Sequence, residues 1–343
     1  MNHPKKKSFL RHIVSPLLKG VVSVGLLGFL FHHFGWKQII AEVDDISWGG
    51  WIGAILILHV AQVCSTLRWQ NLIEAVGNHL PFSFLFRLYY IGMFFSLCLP
   101  TLVGGDAIRW FYLYRKVGRP EASLSSILID RASGFFILLL FLGIILPFQW
   151  ASIPQPHLKI ACVVIALMAI PMVWIAVQPG FFAKIAVFLE RRNWKRISQF
   201  IHNFEISLEF YRRKPQALFK ALFYSTLIQL MGVLEINLIA RSVGLDLPWV
   251  SFFLYLPLIL VVSMLPITFA GLGVREGFAV YLLGLHGVEP TKVILLSLLW
   301  YLSAVAVSLP GVVFYWFQKV PVRTAPPAEI VESELKRELT EQA

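Results

Sequence analysis

Hydrophobic residues in this chain gather into long, nearly unbroken runs separated by short polar segments. A helix needs about 20 consecutive apolar residues to cross a bilayer. The pattern predicts full spans at residues 16–34, 48–67, 124–147, 158–178, 215–240 and 291–317. Two more apolar stretches, 84–103 and 249–267, each run into a segment that contains proline, glycine and charge. We therefore predict an all-α polytopic membrane protein with six full spans and two interrupted segments.

Several short motifs occur twice in the same order. The pattern L-P-x4-G-x3-R runs from Leu99 to Arg109 and again from Leu265 to Arg275. Upstream of each copy stands V-G-x-x-L-P, and downstream a glycine is followed closely by a proline, at 118–120 and 287–290. Recurring motifs with nearly constant spacing indicate an internal duplication.

The distribution of Lys and Arg predicts the topology, because cytoplasmic loops carry an excess of both. Loop 148–157 lacks them, whereas loop 179–214 contains Lys184, Arg191, Arg192, Lys195, Arg196, Arg212, Arg213 and Lys214. The rule is satisfied if both interrupted segments are re-entrant hairpins, the first entering from the cytoplasm and the second from outside. The two halves, 16–147 and 148–320, then form an inverted repeat, flanked by a basic cytoplasmic N-terminus (1–15) and a cytoplasmic tail (321–343).

Composition supports a membrane protein and excludes several other classes. The chain is 57% hydrophobic and 14% charged, with a net charge of +11, and soluble proteins carry about 25% charged residues. We attribute the positive charge to cytoplasmic loops and do not expect nucleic-acid binding. Three cysteines in apolar segments suggest neither disulfides nor a metal site. No cofactor motif or catalytic residue is apparent, and the oligomeric state is not indicated.

Charged residues at membrane depth are the candidate site. Asp106 and Arg109 are three residues apart and can pair on one helical face, and Arg275 and Glu276 occupy the corresponding place in the second half. Each buried charge costs about 2.5–3.5 kcal/mol on insertion scales. Gly105 and Gly271 allow close backbone approach and expose N–H groups at a helix start. Together with Arg, such groups favour a phosphate-bearing headgroup, although ion pairs that only lock the halves together remain an alternative.

Other polar residues within the spans are further candidates for the site. Asp130 and Arg131 lie early in a span and are replaced by Trp300 and Tyr301 in the second half. Glu235 is a candidate for proton coupling or a partner of Arg241. Arg68 is expected to reach the interface as a snorkelling residue, or to contact a headgroup together with its neighbour Trp69.

The basic loop 179–214 contains apolar residues at helical spacing, from Ile197 to Tyr211. This spacing predicts an amphipathic helix. The helix lies either on the cytoplasmic leaflet or against the rest of the protein.

The motifs resemble those of the transmembrane domain of lysylphosphatidylglycerol synthases and related stand-alone flippase-like membrane proteins. The resemblance covers residues 10–320 and depends on Leu67-Arg68-Trp69, on Leu99 to Arg109 with its Gly-Gly-Asp, on Asp130-Arg131, and on Pro266 to Glu276. It implies lipid translocation between leaflets of a bacterial inner membrane, with Asp106, Arg109, Asp130, Arg131, Arg275 and Glu276 at the matching positions. The family motif often has Glu before the Arg, where this chain has Asp130. The aminoacyl-transfer domain is not apparent, so lipid synthesis is not implied.

Three functions stay open at this point. The first is a flippase-like transporter for a lipid with an anionic, phosphate-bearing headgroup, either a phospholipid or a polyprenyl-linked lipid. The second is a polytopic glycosyltransferase with a polyprenyl-phosphate sugar donor, suggested by Asp44-Asp45 in the first external loop. The third is a non-transporting membrane protein that presents the basic loop 179–214 to a partner or to anionic lipid.

Overall fold

The computed structural model describes residues 42–98, 104–192, 194–264, 271 and 273–317, with isolated positions between 25 and 37. The predicted first span (16–34), the cytoplasmic N-terminus and the tail therefore lie mainly outside the described residues. The same holds for the Leu-Pro pairs of both long motifs.

The described part of the chain is helical. The helices are α1 (Trp48–Ala75), α2 (Phe82–Cys98), α3 (Gly104–Val117), α4 (Pro120–Ile145), α5 (Pro156–Leu167), α6 (Ala169–Val177), α7 (Phe181–Arg191), α8 (Lys195–Arg213), α9 (Pro215–Ser242), α10 (Phe252–Ser263), α11 (Val274–Gly284), α12 (Pro290–Ser308) and α13 (Pro310–Phe317). Short 3₁₀ turns at Trp150–Ser152 and Trp249–Ser251 precede α5 and α10.

Five helical segments are long and apolar enough to cross a membrane: Trp48–Ala75, Pro120–Ile145, Pro156–Ile175, Pro215–Ser242 and Pro290–Phe317. They confirm the five predicted spans that fall in the described residues. Helices α2 and α10 are shorter, with 17 and 12 residues, and at about 1.5 Å per residue each falls short of the roughly 30 Å of hydrocarbon.

Helices α1 and α9 pack against each other in antiparallel orientation at the centre of the fold. At one end the Ser47 N–H donates to the Ser242 carbonyl at 2.8 Å. At the other end Asn71 Nδ2 donates to the Ala217 carbonyl at 2.7 Å. Between these ends, small residues such as Ala54 and Ala221 are fully buried, which allows the two backbones to approach closely.

The duplicated motifs form the same local structures. Each Val-Gly pair follows a 28-residue helix, α1 or α9, and both Gly77 and Gly244 have positive φ, at 82° and 72°. Such left-handed glycines end helices because they lack a Cβ atom. The downstream prolines begin α4 and α12. Since α1 and α9 match in length and in their following residues, position 68 corresponds to position 235.

The predicted amphipathic helix is α8, and it packs on the protein. Phe210 and Tyr211 are buried, and the Tyr211 hydroxyl donates to the Leu72 carbonyl at the end of α1. Asn203 donates to Glu121 in the first turn of α4. Packing against the rest of the protein therefore accounts for the C-terminal part of this face, whereas Ile197 at its start is 49% exposed. The contacts also place α8 at the same end of the molecule as the junction of α3 and α4.

Candidate functional site

A buried ion network is centred on Asp130 of α4. Arg68 Nε donates to Asp130 Oδ1 at 2.8 Å, and Arg109 Nη2 donates to Oδ2 at 3.0 Å. Asp130 is fully buried, and both arginines are nearly so. Arg68 also donates to the Ser225 hydroxyl of α9 at 2.8 Å. The network therefore joins α1, α3 and α4 and extends to α9.

Arg109 is held on both faces by aromatic rings. Its guanidinium carbon lies 4.0 Å from the ring centroid of Trp69 and 4.1 Å from that of Tyr89, at distances where cation–π attraction stabilises the charge. Trp69 is itself fixed by a hydrogen bond to Ser126. Arg109 Nε is buried and has no hydrogen-bond partner among the described residues. One donor of this buried cation is therefore unsatisfied.

Arg131 differs from the other two arginines because its side chain is 56% exposed. Asp106 accepts hydrogen bonds from its Nε at 2.8 Å and its Nη2 at 3.0 Å. Arg109 Nη1 also donates to Asp106, at 3.2 Å. Arg131 Nη1 has no hydrogen-bond partner among the described residues. The bidentate pair fixes one edge of the Arg131 guanidinium and leaves the other edge open.

A cavity of about 400 Å³ lies directly against this network. Its wall includes the charged side chains of Arg68, Arg109, Asp130 and Arg131. The remaining wall is mostly neutral and comes from both predicted halves, including Gln62, Tyr89, Ser96, Gln229, Leu260, Met264, Ala304 and Ser308. Gln62 and Gln229 occupy corresponding positions of the antiparallel helices α1 and α9, so the cavity lies close to the midpoint of that pair.

The glycines predicted at the site mediate close contacts between the helices of each hairpin. A methyl group at Gly105 would overlap the Gly92 carbonyl oxygen and the Ser96 hydroxyl of α2. In the second half, Gly271 has φ of 77° and lies against Ser263 at the end of α10. Gly105 and Gly271 therefore serve the close backbone approach that the sequence predicts.

Arg275 and Glu276 form a second network. Arg275 Nη2 donates to Glu276 Oε1 at 2.6 Å and to the Ser297 carbonyl of α12 at 3.2 Å. Arg275 Nε donates to the Ser297 hydroxyl at 3.2 Å. The Gly273 N–H at the start of α11 donates to Glu276 Oε2 at 2.6 Å. This amide is therefore bound to the protein's own carboxylate. The Arg275 guanidinium lies 5.3 Å from the ring centroid of Trp300 and 5.4 Å from that of Tyr301.

The structure does not bring the two networks together. Arg109 contacts Asp130, whereas Arg275 contacts Trp300 and Tyr301, the residues that replace Asp130 and Arg131 in the second half. The first network reaches α9 at Ser225 and the second lies near Glu235, ten residues away or about 15 Å along the helix. Arg275 and Glu276 do not line the 400 Å³ cavity.

Glu235 lies beside the second network and not beside Arg241. It is 3% exposed, and it interacts with Trp300 and with the charge of Arg275. Its Oε1 has no hydrogen-bond partner among the described residues, while Arg241 is exposed at the end of α9. The predicted pairing of Glu235 with Arg241 is therefore not seen.

The position of Arg68 differs from the one that the sequence predicts. The side chain does not reach the interface, because α1 continues for seven more residues to Ala75 and Arg68 is 5% exposed, bound to Asp130. Tyr89 and Gly92 were not predicted at all. They lie within an apolar run whose hydrophobicity gives no signal for a polar contact.

Comparison with known proteins agrees with this description. The family model of the lysylphosphatidylglycerol synthase TM region matches residues 17–311. Two proteins of Methanothermobacter thermautotrophicus (strain Delta H), each named UPF0104 membrane protein, are similar to the chain. One is 24% identical over 333 residues, covering 89% of this chain and 93% of the relative. The other is 22% identical over 279 residues, covering 74% and 82%. No solved structure matches the chain.

The family match covers most of the chain, including all the helices α1 to α12 and both charged networks. The protein therefore belongs to the family of the lysylphosphatidylglycerol synthase TM region, as a membrane protein with several apolar spanning helices.

Proposed function

We propose that this protein moves a lipid with an anionic, phosphate-bearing headgroup between the leaflets of a bacterial inner membrane. In this proposal it acts as a transporter and not as an enzyme, with both termini in the cytoplasm. The headgroup passes through the cavity beside Asp130, and the acyl or polyprenyl chains stay in the surrounding bilayer.

The observation that carries the proposal is the charge of the cavity network. Three arginines (Arg68, Arg109 and Arg131) meet two aspartates (Asp106 and Asp130), which leaves one positive charge in excess. An uncompensated charge at membrane depth is costly. An anionic headgroup in the cavity would neutralise it, and the planar guanidinium of Arg131 suits a phosphate oxygen.

The open donors of the network support the same ligand. Arg131 Nη1 is unpaired among the described residues and belongs to an exposed side chain. Arg109 Nε is buried without a partner in the described part of the chain. If the ion pairs only held the two halves together, all of their hydrogen-bond donors would be expected to have partners, because a buried unpaired polar group costs about 1–3 kcal/mol.

The arrangement of the helices supports an inverted repeat with two re-entrant hairpins. The equivalent helices α1 and α9 run antiparallel, as two halves of opposite orientation require. The α2–α3 and α10–α11 pairs are short and close on glycines. Many transporters place broken helices of inverted repeats around a central site. Rocking of one half against the other would expose the cavity to each leaflet in turn.

The test is leaflet exchange of a fluorescent anionic phospholipid in proteoliposomes, with Arg131→Gln as the variant. The change removes one charge-assisted contact, worth about 1.5–3 kcal/mol, so we expect the exchange rate to fall about 10- to 100-fold. Arg213→Gln on the exposed side of α8 is the matched control and should exchange lipid at the wild-type rate.

Arg131 is a better target than Arg109, because its partial exposure makes a folding defect less severe. Gel filtration and thermal unfolding in detergent verify that the variant is folded. Equal exchange by the wild-type protein, Arg131→Gln and protein-free liposomes would contradict the proposed function. Equal exchange by wild type and variant, both well above empty liposomes, would contradict the role of Arg131.

A further inference from the structure

A buried carboxyl group in the second half has no role in the cavity described above. Glu235 is 3% exposed in the interior of α9. Its Oε1 has no hydrogen-bond partner in the described part of the chain. It lies seven residues before Ser242, or about 10 Å along the helix from its end.

The nearest cation is already committed to another acid. Arg275 donates from Nη2 at 2.6 Å and from Nε at 3.1 Å to Glu276 Oε1. Glu276 is held in turn by the Gly273 N–H and the Ser297 hydroxyl. The Arg275–Glu276 pair is therefore neutral by itself, and an ionised Glu235 would leave one negative charge in excess.

Within the described part of the chain, the groups around Glu235 other than Arg275 do not supply a compensating charge. Helices α1, α10 and α12 contribute apolar residues to the surrounding core, among them Ala54, Leu256 and Leu299, and Trp300 contributes a neutral N–H. Arg68 of α1 contacts α9 at Ser225, ten residues from Glu235 or about 15 Å along the helix. A carboxylate so placed is stabilised by accepting a proton.

The position of Glu235 in the duplication strengthens this point. It corresponds to Arg68, which provides a positive charge to the cavity network of the first half. The cavity network of the first half therefore has an excess of one positive charge. The other half has an excess of one negative charge, or none when Glu235 is protonated.

We propose that Glu235 takes up a proton from water on one side of the membrane and releases it on the other during each transport cycle. This coupling rests on the transport function proposed above. When Glu235 is protonated, Arg275 stays with Glu276. When the proton leaves, the new carboxylate attracts Arg275, which lies at the start of α11 and moves the second hairpin with it.

Proton binding is tested without any transport measurement. Infrared difference spectra across a pH titration of the purified protein report the carbonyl band of a protonated carboxylic acid. We expect a band that titrates in the wild type, is absent in Glu235→Gln, shifts in Glu235→Asp and is unchanged in Glu289→Gln, an exposed control. Identical spectra for the wild type and Glu235→Gln would overturn the proposal.

Coupling is tested by lipid exchange in proteoliposomes with and without a pH gradient. We expect the gradient to accelerate exchange at least several-fold in the wild type and to have no effect in Glu235→Gln. Acceleration by a sodium gradient at constant pH, lost in Glu235→Gln, would overturn the assignment to protons. If the wild type exchanges no lipid at all, the coupling fails together with the transport function, and the infrared titration alone decides whether Glu235 binds a proton.

Discussion

The charge of Asp130 is expected to be the most important single contribution to the stability of the cavity wall. Asp130→Asn keeps the size of the side chain and removes its charge. The change leaves Arg68 and Arg109 without their shared partner, at positions where each is at most 5% exposed. Two buried cations would then face each other across a neutral amide.

The loss of unfolding free energy in Asp130→Asn depends on the partners that Arg68 and Arg109 keep. Removing one member of a buried ion pair costs about 3–5 kcal/mol. Arg109 retains Asp106 at 3.2 Å and Arg68 retains the Ser225 hydroxyl at 2.8 Å, so we expect a loss near the lower limit, about 3 kcal/mol. Asp106→Asn weakens a pair in which Arg131 is 56% exposed and a 3.2 Å contact to Arg109, which keeps Asp130 at 3.0 Å. We therefore expect a smaller loss of unfolding free energy, because exposed pairs contribute about 0–1 kcal/mol.

The assay is reversible unfolding in mixed micelles, followed by circular dichroism, for Asp130→Asn, Asp106→Asn and the exposed control Asp246→Asn. A second change, Arg68→Met in the Asp130→Asn background, removes one of the unpaired cations. This double variant is expected to recover part of the lost free energy of unfolding, because an apolar replacement no longer buries a charge.

Equal losses for Asp130→Asn and Asp106→Asn, both within about 0.5 kcal/mol of the surface control, would refute this reasoning. Such a result would mean that the network is hydrated and that the Asp130 pairs contribute no more than exposed ones.

Three further predictions concern the hairpin, the α7–α8 pair and the topology. Gly105→Ala should destabilise the protein by about 1–3 kcal/mol through overlap with the Gly92 carbonyl oxygen, whereas Gly284→Ala, which has open space around it, should unfold like the wild type. Burial opposes ionisation of Glu205, but hydrogen bonds from Arg212 and the Gly180 amide outweigh it and keep its pKa below the ordinary 4.5. The stability it gives is therefore present above that pH and is lost as the pH falls through the lowered pKa. Hydrogen-exchange protection of α7, corrected for the intrinsic exchange rate, should therefore fall in acid in the wild type and should be low at every pH in Glu205→Gln. In a cysteine-free background, single cysteines at 115 and 192 should react with an impermeant maleimide from one side and a cysteine at 45 from the other; labelling of 115 and 192 from opposite sides would contradict the inverted arrangement.

The sequence predicts the spanning helices well because their signal is strong and local. Hydrophobic runs, left-handed glycines such as Gly77 and Gly244, and prolines at the starts of α4 and α12 each act within a few residues. The close approach at Gly105 is predictable for the same reason, since glycine beside charge in an apolar segment is typical of two backbones in contact.

The separation into two networks could not be read from the sequence. Both copies of the long motif end in an arginine with an acidic partner on its own helix, at Asp106 and Glu276. The contacts that separate the two networks are made with other helices, at Asp130 for Arg109 and at Ser297 for Arg275. The interior position of Arg68 was missed because the last two turns of α1 are polar and fall below the hydrophobicity of a span. These turns face neighbouring helices, as Asn71 does, and that packing is decided by the tertiary structure.

The central claim is that an anionic headgroup enters the cavity beside Asp130, and site-specific photocrosslinking tests it most directly. A photoreactive amino acid replaces Met93, in the cavity wall, or Phe223, which is 61% exposed on α9, in protein kept in native membranes. Mass spectrometry of the digested protein then identifies the attached lipid and the point of attachment. We predict phosphate-bearing lipid attached through its headgroup at position 93 and through its acyl chain at position 223. Attachment through acyl chains alone at both positions would contradict the claim.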